Sequence, residues 1–119
     1  MFTPSYIEID RAALHKNIKF IRKQVGKKKK ISSVIKGNAY GHGIEVMVPL
    51  IEETGIDHHS VFHADEALRV SRVCQPETDI MIMGMIDNEE LFWAIENDIE
   101  FYVFEKDRLK KAIEVAKKM

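Results

Sequence analysis

The sequence predicts an α/β fold of parallel strands joined by helices, and three observations predict it. Short, mainly apolar runs recur at 31–36, 59–62, 79–84 and 100–104. Between them lie segments whose apolar residues repeat at helical spacing. The two patterns alternate every ~20 to 30 residues, as parallel strands joined by right-handed crossovers do. Continuous runs suit strands buried on both faces, so a barrel and an open doubly wound sheet fit the pattern equally well.

Each element has its own local reason. Asp10 is placed to cap a helix in which Leu14, Ile18, Ile21 and Val25 share a face, and Gly26 ends it. Lys27 to Lys30 follow as a solvated helix end, where positive charge complements the dipole. After the 31–36 run, Val46, Met47, Leu50 and Ile51 mark a second helix closed by Gly55. Pro49 falls inside it and removes a backbone hydrogen bond at a cost of ~3 kcal/mol, so that helix is expected to be distorted or to start late. Helical patterns around 67–73 and 91–97 separate the later strands, and Leu109, Ala112, Ile113 and Ala116 mark a last helix.

The chemistry concentrates where the 31–36 run ends. Lys36 closes that strand, and an amine held out of water loses its preference for the charged form and can become a nucleophile that forms imines. Gly37, Gly41 and Gly43 allow a tight turn and close approach of the backbone to a ligand, while Tyr40 supplies a phenolic donor and His42 a titratable ring. A snorkelling lysine at a strand end is the bland alternative. A glycine-rich turn entering a helix also offers amides to phosphate, though a single such turn is a weak signal.

Composition excludes several classes. With 119 residues, 45% hydrophobic and 31% charged, the chain has the balance of one soluble globular unit. A net charge of -1 gives no electrostatic case for nucleic acid or an anionic membrane, and no apolar run reaches spanning length. The single Cys74 excludes an internal disulfide, and residues 1–10 carry no leader pattern, which together point to the cytoplasm. No metal site is expected: His59 and His63, four apart in a strand, stand ~13 Å from each other. Asp65 and Glu66 read as helix-start residues, and Met81, Met83 and Met85 as one packed face of a strand. Gly84 marks a close backbone approach, expected to be toward the ligand.

Val34 through Gly43 resembles the pyridoxal-phosphate signature of the alanine racemase family. The resemblance continues in Tyr6-Ile7-Glu8-Ile9-Asp10 as an opening strand, in Ser60-Val61-Phe62 with Asp65-Glu66-Ala67-Leu68-Arg69 as a second strand and helix, and in Ile82-Met83-Gly84. It implies the N-terminal half of a (β/α)8 TIM-type barrel, about four of eight units. On this division 1–10 is an N-terminal strand and 11–119 a partial barrel domain. The resemblance implies a C-terminal half barrel and a β-rich domain that are expected to lie outside this chain. Half a barrel is expected to leave strand edges unpaired and an apolar interior uncovered, which favours self-association or pairing with the missing half.

The resemblance also implies roles. Lys36 carries pyridoxal 5′-phosphate as an internal imine and acts as one of two bases; Tyr40 contacts the cofactor phosphate, or else plugs the barrel as a packed aromatic. His42 is expected to orient the turn or to cap the following helix, not to transfer a proton. The second base is a tyrosine of the partner subunit's C-terminal domain, so the parent is expected to be a homodimer and this chain inactive alone. The implied activity is interconversion of L- and D-alanine, with D-alanine destined for peptidoglycan, and a broad-specificity or serine racemase is an open variant. A non-catalytic protein of the same fold that binds the cofactor for homeostasis, and an inert structural fragment, are the alternatives. Gly37 stands where the family more often has alanine, which loosens the turn beside the lysine.

Overall fold

The computed structural model describes residues 2–119. Helix α1 (Arg11–Val25) starts where Asp10 Oδ1 accepts from the Ala13 amide at 2.9 Å and stops at Gly26, whose φ is 84°. Strand β1 (Ser33–Val34) is followed by a single tight turn, α2 (Lys36–Tyr40), and by helix α3 (Ile44–Glu52). Then come β2 (His58–Val61), α4 (Ala64–Ser71), β3 (Asp79–Ile82), α5 (Leu91–Glu96), β4 (Glu100–Phe101) and α6 (Lys106–Lys117).

The four strands form one sheet in the order β1-β2-β3-β4, every neighbour parallel. Register pairs Ser33 with His59, His59 with Ile80, and Ile82 with Phe101. Because side chains alternate along a strand, His59, Val61, Ile80 and Ile82 share one face. That face is buried with Ile44, Val48 and Ile51 of α3, Ala67 and Val70 of α4, and Leu91 and Ala94 of α5.

The opposite face departs from the expected apolar interior. Ser60 Oγ and Ser32 Oγ lie 2.6 Å apart, His58 Nδ1 meets Ser32 Oγ at 2.7 Å, and His58 Nε2 meets Glu100 Oε2 at 2.9 Å. These polar groups satisfy one another, which removes most of the cost of burying His58 and Ser60 on this partly open face. Beside them Lys30, expected to be merely solvated, reaches Asp79 Oδ2 at 2.5 Å. The pair raises the pKa of Lys30 and lowers that of Asp79.

Two further expectations are corrected. Tyr6 to Asp10 form no strand: none of the four strands pairs with them, and Tyr6 and Ile7 are exposed. A strand needs a neighbour to bond its backbone groups. Helix α3 neither starts late nor breaks at Pro49; it begins at Ile44 and runs through the proline. Both Pro49 and Glu45 lie on the exposed side, where water can bond the Glu45 carbonyl that lacks its partner.

The radius of gyration is 16.4 Å, against about 13.5 Å for a compact domain of this length. The molecule is an open slab of 46 × 43 × 24 Å. Phe20, Phe92, Tyr102 and Phe104 remain exposed. No described helix is long and apolar enough to cross a membrane.

Candidate active site

Lys36 follows the C-terminal end of β1, which the Ile35 amide extends by donating to Ser60 O at 2.9 Å. Ile35 is buried and anchors the chain, so the half-buried Lys36 is delivered to the mouth of the sheet at a fixed place. Its side chain enters a cleft of about 540 Å³ lined by Gly37, Tyr40, Phe62, His63, Asp65, Glu66 and Arg69. The Lys36 Nζ stands 5.8 Å from the centre of the Phe62 ring, at the outer limit of a cation–π contact. The structure thus brings Lys36 and Tyr40 to one cleft. Tyr40 is 64% exposed and is not packed beneath the sheet.

The turn is tighter than three glycines alone require. Gly37, Asn38, Ala39 and Tyr40 all have φ between 55° and 60°, a single left-handed turn. Glycine and asparagine accept that region readily, but Ala39 and Tyr40 carry a cost of roughly 1–2 kcal/mol apiece. Several bonds hold the conformation. The Ala39 amide donates to Ile35 O at 2.8 Å and the Gly43 amide to Asn38 O at 2.9 Å. The Asn38 Oδ1 accepts from the Ile44 amide at 3.1 Å and from Arg69 Nη2 at 2.6 Å. His42 Nδ1 lies 2.9 Å from Ala39 O, so the ring orients the turn, as expected.

These bonds engage most of the amides that the turn could have offered to a phosphate. The amides of Ala39, Gly41, His42, Gly43 and Ile44 all donate within the chain. The turn thus spends these five amides on its own conformation.

Sequence reasoning missed the supports. Glu66 is buried, and its Oε1 accepts from the Phe62 and His63 amides at 3.1 and 3.4 Å while its Oε2 accepts from the Asn38 amide at 3.4 Å. One carboxylate therefore ties the turn after β1 to the turn after β2. Arg69 forms a two-pronged pair with Glu45, Nε to Oε1 at 2.8 Å and Nη2 to Oε2 at 2.7 Å. That hydrogen-bonded guanidinium pulls the Glu45 pKa down to about 2. A glutamate three residues after the residue that starts a helix is the signal of a capping box, but His63 in place of Ser or Thr hides it.

Other expected residues go elsewhere. Gly84 does mark a close approach, but to protein: a Cβ there would lie 2.4 Å from Phe62 O. Met85 borders a separate cleft of about 220 Å³ with Ile86, Tyr102 and Phe104. His58, His59 and His63 do not converge, and no cluster of potential metal ligands occurs among the described residues.

The family model described as alanine racemase, N-terminal domain, matches residues 9–119. An alanine racemase of Lactobacillus delbrueckii subsp. bulgaricus is 36% identical over 115 residues, 97% of this chain and 30% of that protein. The solved alanine racemase of Clostridium difficile 630 in complex with cycloserine superposes with a TM-score of 0.87 at 28% identity, covering 99% of this chain and 31% of that one. A histidine racemase from Leuconostoc mesenteroides superposes with a TM-score of 0.81 at 26% identity, covering 90% and 28%. The chain thus spans about 30% of the length of the relatives it matches. Its parallel sheet and helices have the fold expected from the sequence, the N-terminal part of a (β/α)8-type barrel.

Proposed function

The chain belongs to the alanine racemase N-terminal domain family, and from that membership we propose that it is the part of an amino-acid racemase that holds pyridoxal 5′-phosphate on Lys36. The observation that carries this reading is the placement of Lys36 and Tyr40 in one cleft at the C-terminal end of β1. Active sites of barrel enzymes lie at that end of the strands. A primary amine, a phenol and an open volume of about 540 Å³ suit a cofactor that bears an aldehyde, a ring and a phosphate.

When bound, pyridoxal phosphate supplies an electron sink that makes the substrate α-proton acidic. Lys36 Nζ would hold the cofactor, and the same amine is placed to move a proton at one face of a substrate's α-carbon. Tyr40 Oη would donate to the cofactor's phosphate. Phe62 walls the cleft beside Lys36. Residues 11–119 serve as the partial barrel domain, and the second base comes from a partner subunit in a homodimer of the longer parent. The 119 residues alone do not racemise. We assign alanine as substrate and the cytoplasm as location, with D-alanine supplied to peptidoglycan; the sharing of this fold with a histidine racemase leaves side-chain selection to other segments.

The test is L- to D-alanine conversion by the full-length parent and its Lys36→Ala variant. Conversion is expected to fall by about a thousandfold or more. Activity that survives the substitution overturns the assignment of Lys36, and a parent that binds the cofactor without any racemisation favours the homeostasis protein instead.

A further inference from the structure

The left-handed turn between Lys36 and α3 is held by a side chain as well as by its backbone. Asn38 has a φ of 55°, and its carboxamide oxygen bridges two elements, accepting from the Ile44 amide that opens α3 and from Arg69 of α4. Arg69 is itself fixed by both oxygens of Glu45, one residue into α3. The Asn38 amide donates to the buried Glu66, again on α4. Three elements meet on this one residue, and Lys36 lies two positions before it and Tyr40 two after.

We propose that Asn38 is a positioning residue: its carboxamide oxygen, clasped between the Ile44 amide and Arg69, locks the turn so that Lys36 and Tyr40 face the same cleft. The inference rests on the reading of Lys36 given above. Asparagine combines two properties that neither alanine nor glycine has together. Its short amide tolerates the left-handed region, and it carries an acceptor at the right reach for the first free amide of the next helix. Loss of that acceptor leaves the Ile44 amide without a partner and unties the turn from Arg69, which stays paired with Glu45. The turn can then relax toward conformations that Ala39 and Tyr40 prefer, which swings Tyr40 out of the cleft.

Three substitutions in the 119-residue chain separate backbone conformation from the carboxamide. Asn38→Gly removes the side chain while keeping the left-handed region open at no cost. Asn38→Ala removes the side chain and adds strain. Asn38→Asp keeps the acceptor and its contact with Arg69. Two readouts apply: hydrogen exchange at the Ile44 amide, and the share of pyridoxal phosphate that borohydride fixes to Lys36 relative to the other lysines. Both Asn38→Gly and Asn38→Ala are expected to speed exchange at Ile44 about tenfold and to lower the Lys36 share about tenfold, while Asn38→Asp stays within about threefold of wild type. An Asn38→Gly variant that matches wild type overturns the proposal, because backbone conformation alone would then explain the residue. If wild type itself shows no preference for Lys36, the cofactor site forms only in the longer parent, and exchange at Ile44 alone decides the positioning role.

Discussion

His59 Nε2 lies 3.6 Å from Glu52 Oε1 in the layer between the sheet and α3, and neither ring nitrogen of this fully buried histidine has a hydrogen-bond partner among the described residues. Glu52 is already engaged by the Gln75 amide and by Thr78 Oγ1. Burial lowers the His59 pKa; the Glu52 charge opposes that shift and His58 adds to it, without reversing it.

A lowered folded-state pKa fixes the sign of the pH dependence. Below the ordinary value of 6.5 the unfolded chain binds a proton that folded His59 refuses, so stability is complete above that pH and declines toward the lowered folded value. His59→Leu removes both the titration and the unpartnered nitrogens, and is expected to stabilise the chain by about 1–3 kcal/mol at pH 6. Urea melts at pH 7.5 and 5.5 check this. An unchanged difference between the two pH values in the variant would contradict it.

Gly84 stands against backbone, where no side chain can yield. An added Cβ meets Phe62 O at 2.4 Å and the Phe62 ring at 3.1 Å, while the Gly84 amide donates to that same carbonyl at 3.1 Å. Gly84→Ala is therefore expected to cost about 1–3 kcal/mol in a denaturant melt. It also displaces Phe62, the wall beside Lys36, so cofactor labelling is expected to fall with stability. A melt within experimental error of wild type would show that the two strand ends can separate freely.

Glu66 predicts a graded pair of substitutions. Glu66→Ala leaves the Phe62, His63 and Asn38 amides without their shared acceptor and is expected to cost about 2 kcal/mol or more. Glu66→Gln retains one carbonyl oxygen and is expected to cost less than half as much. Equal losses in equilibrium unfolding would mean that the charge, and not the count of accepting atoms, holds the two turns together.

What was legible in the sequence was local. The spacing of Leu14 and Ile18, the cap at Asp10 and the stop at Gly26 specify α1 from neighbouring residues alone, and the structure follows them. Lys36 and Tyr40 were legible because a strand end and a glycine-rich turn are contiguous. The polar inner face was not read from the sequence, where an apolar interior was expected, although Ser32, His58 and Ser60 sit at positions compatible with one sheet face. That they bond to one another and to Glu100 depends on register between strands, which no single run encodes. Asn38, Glu66 and Arg69 were illegible as supports for the same reason, because their partners lie as many as 31 residues away. The strand expected at Tyr6 to Asp10 failed because pattern describes what a segment can do, whereas pairing needs a neighbour.

Everything proposed for the cleft depends on Lys36 holding the cofactor. The most direct measurement is to load the full-length parent with pyridoxal phosphate, reduce it with borohydride, and locate the added mass by peptide mass spectrometry. A single adduct on Lys36, lost in Lys36→Arg, is the predicted result; an adduct confined to any other lysine would contradict the account.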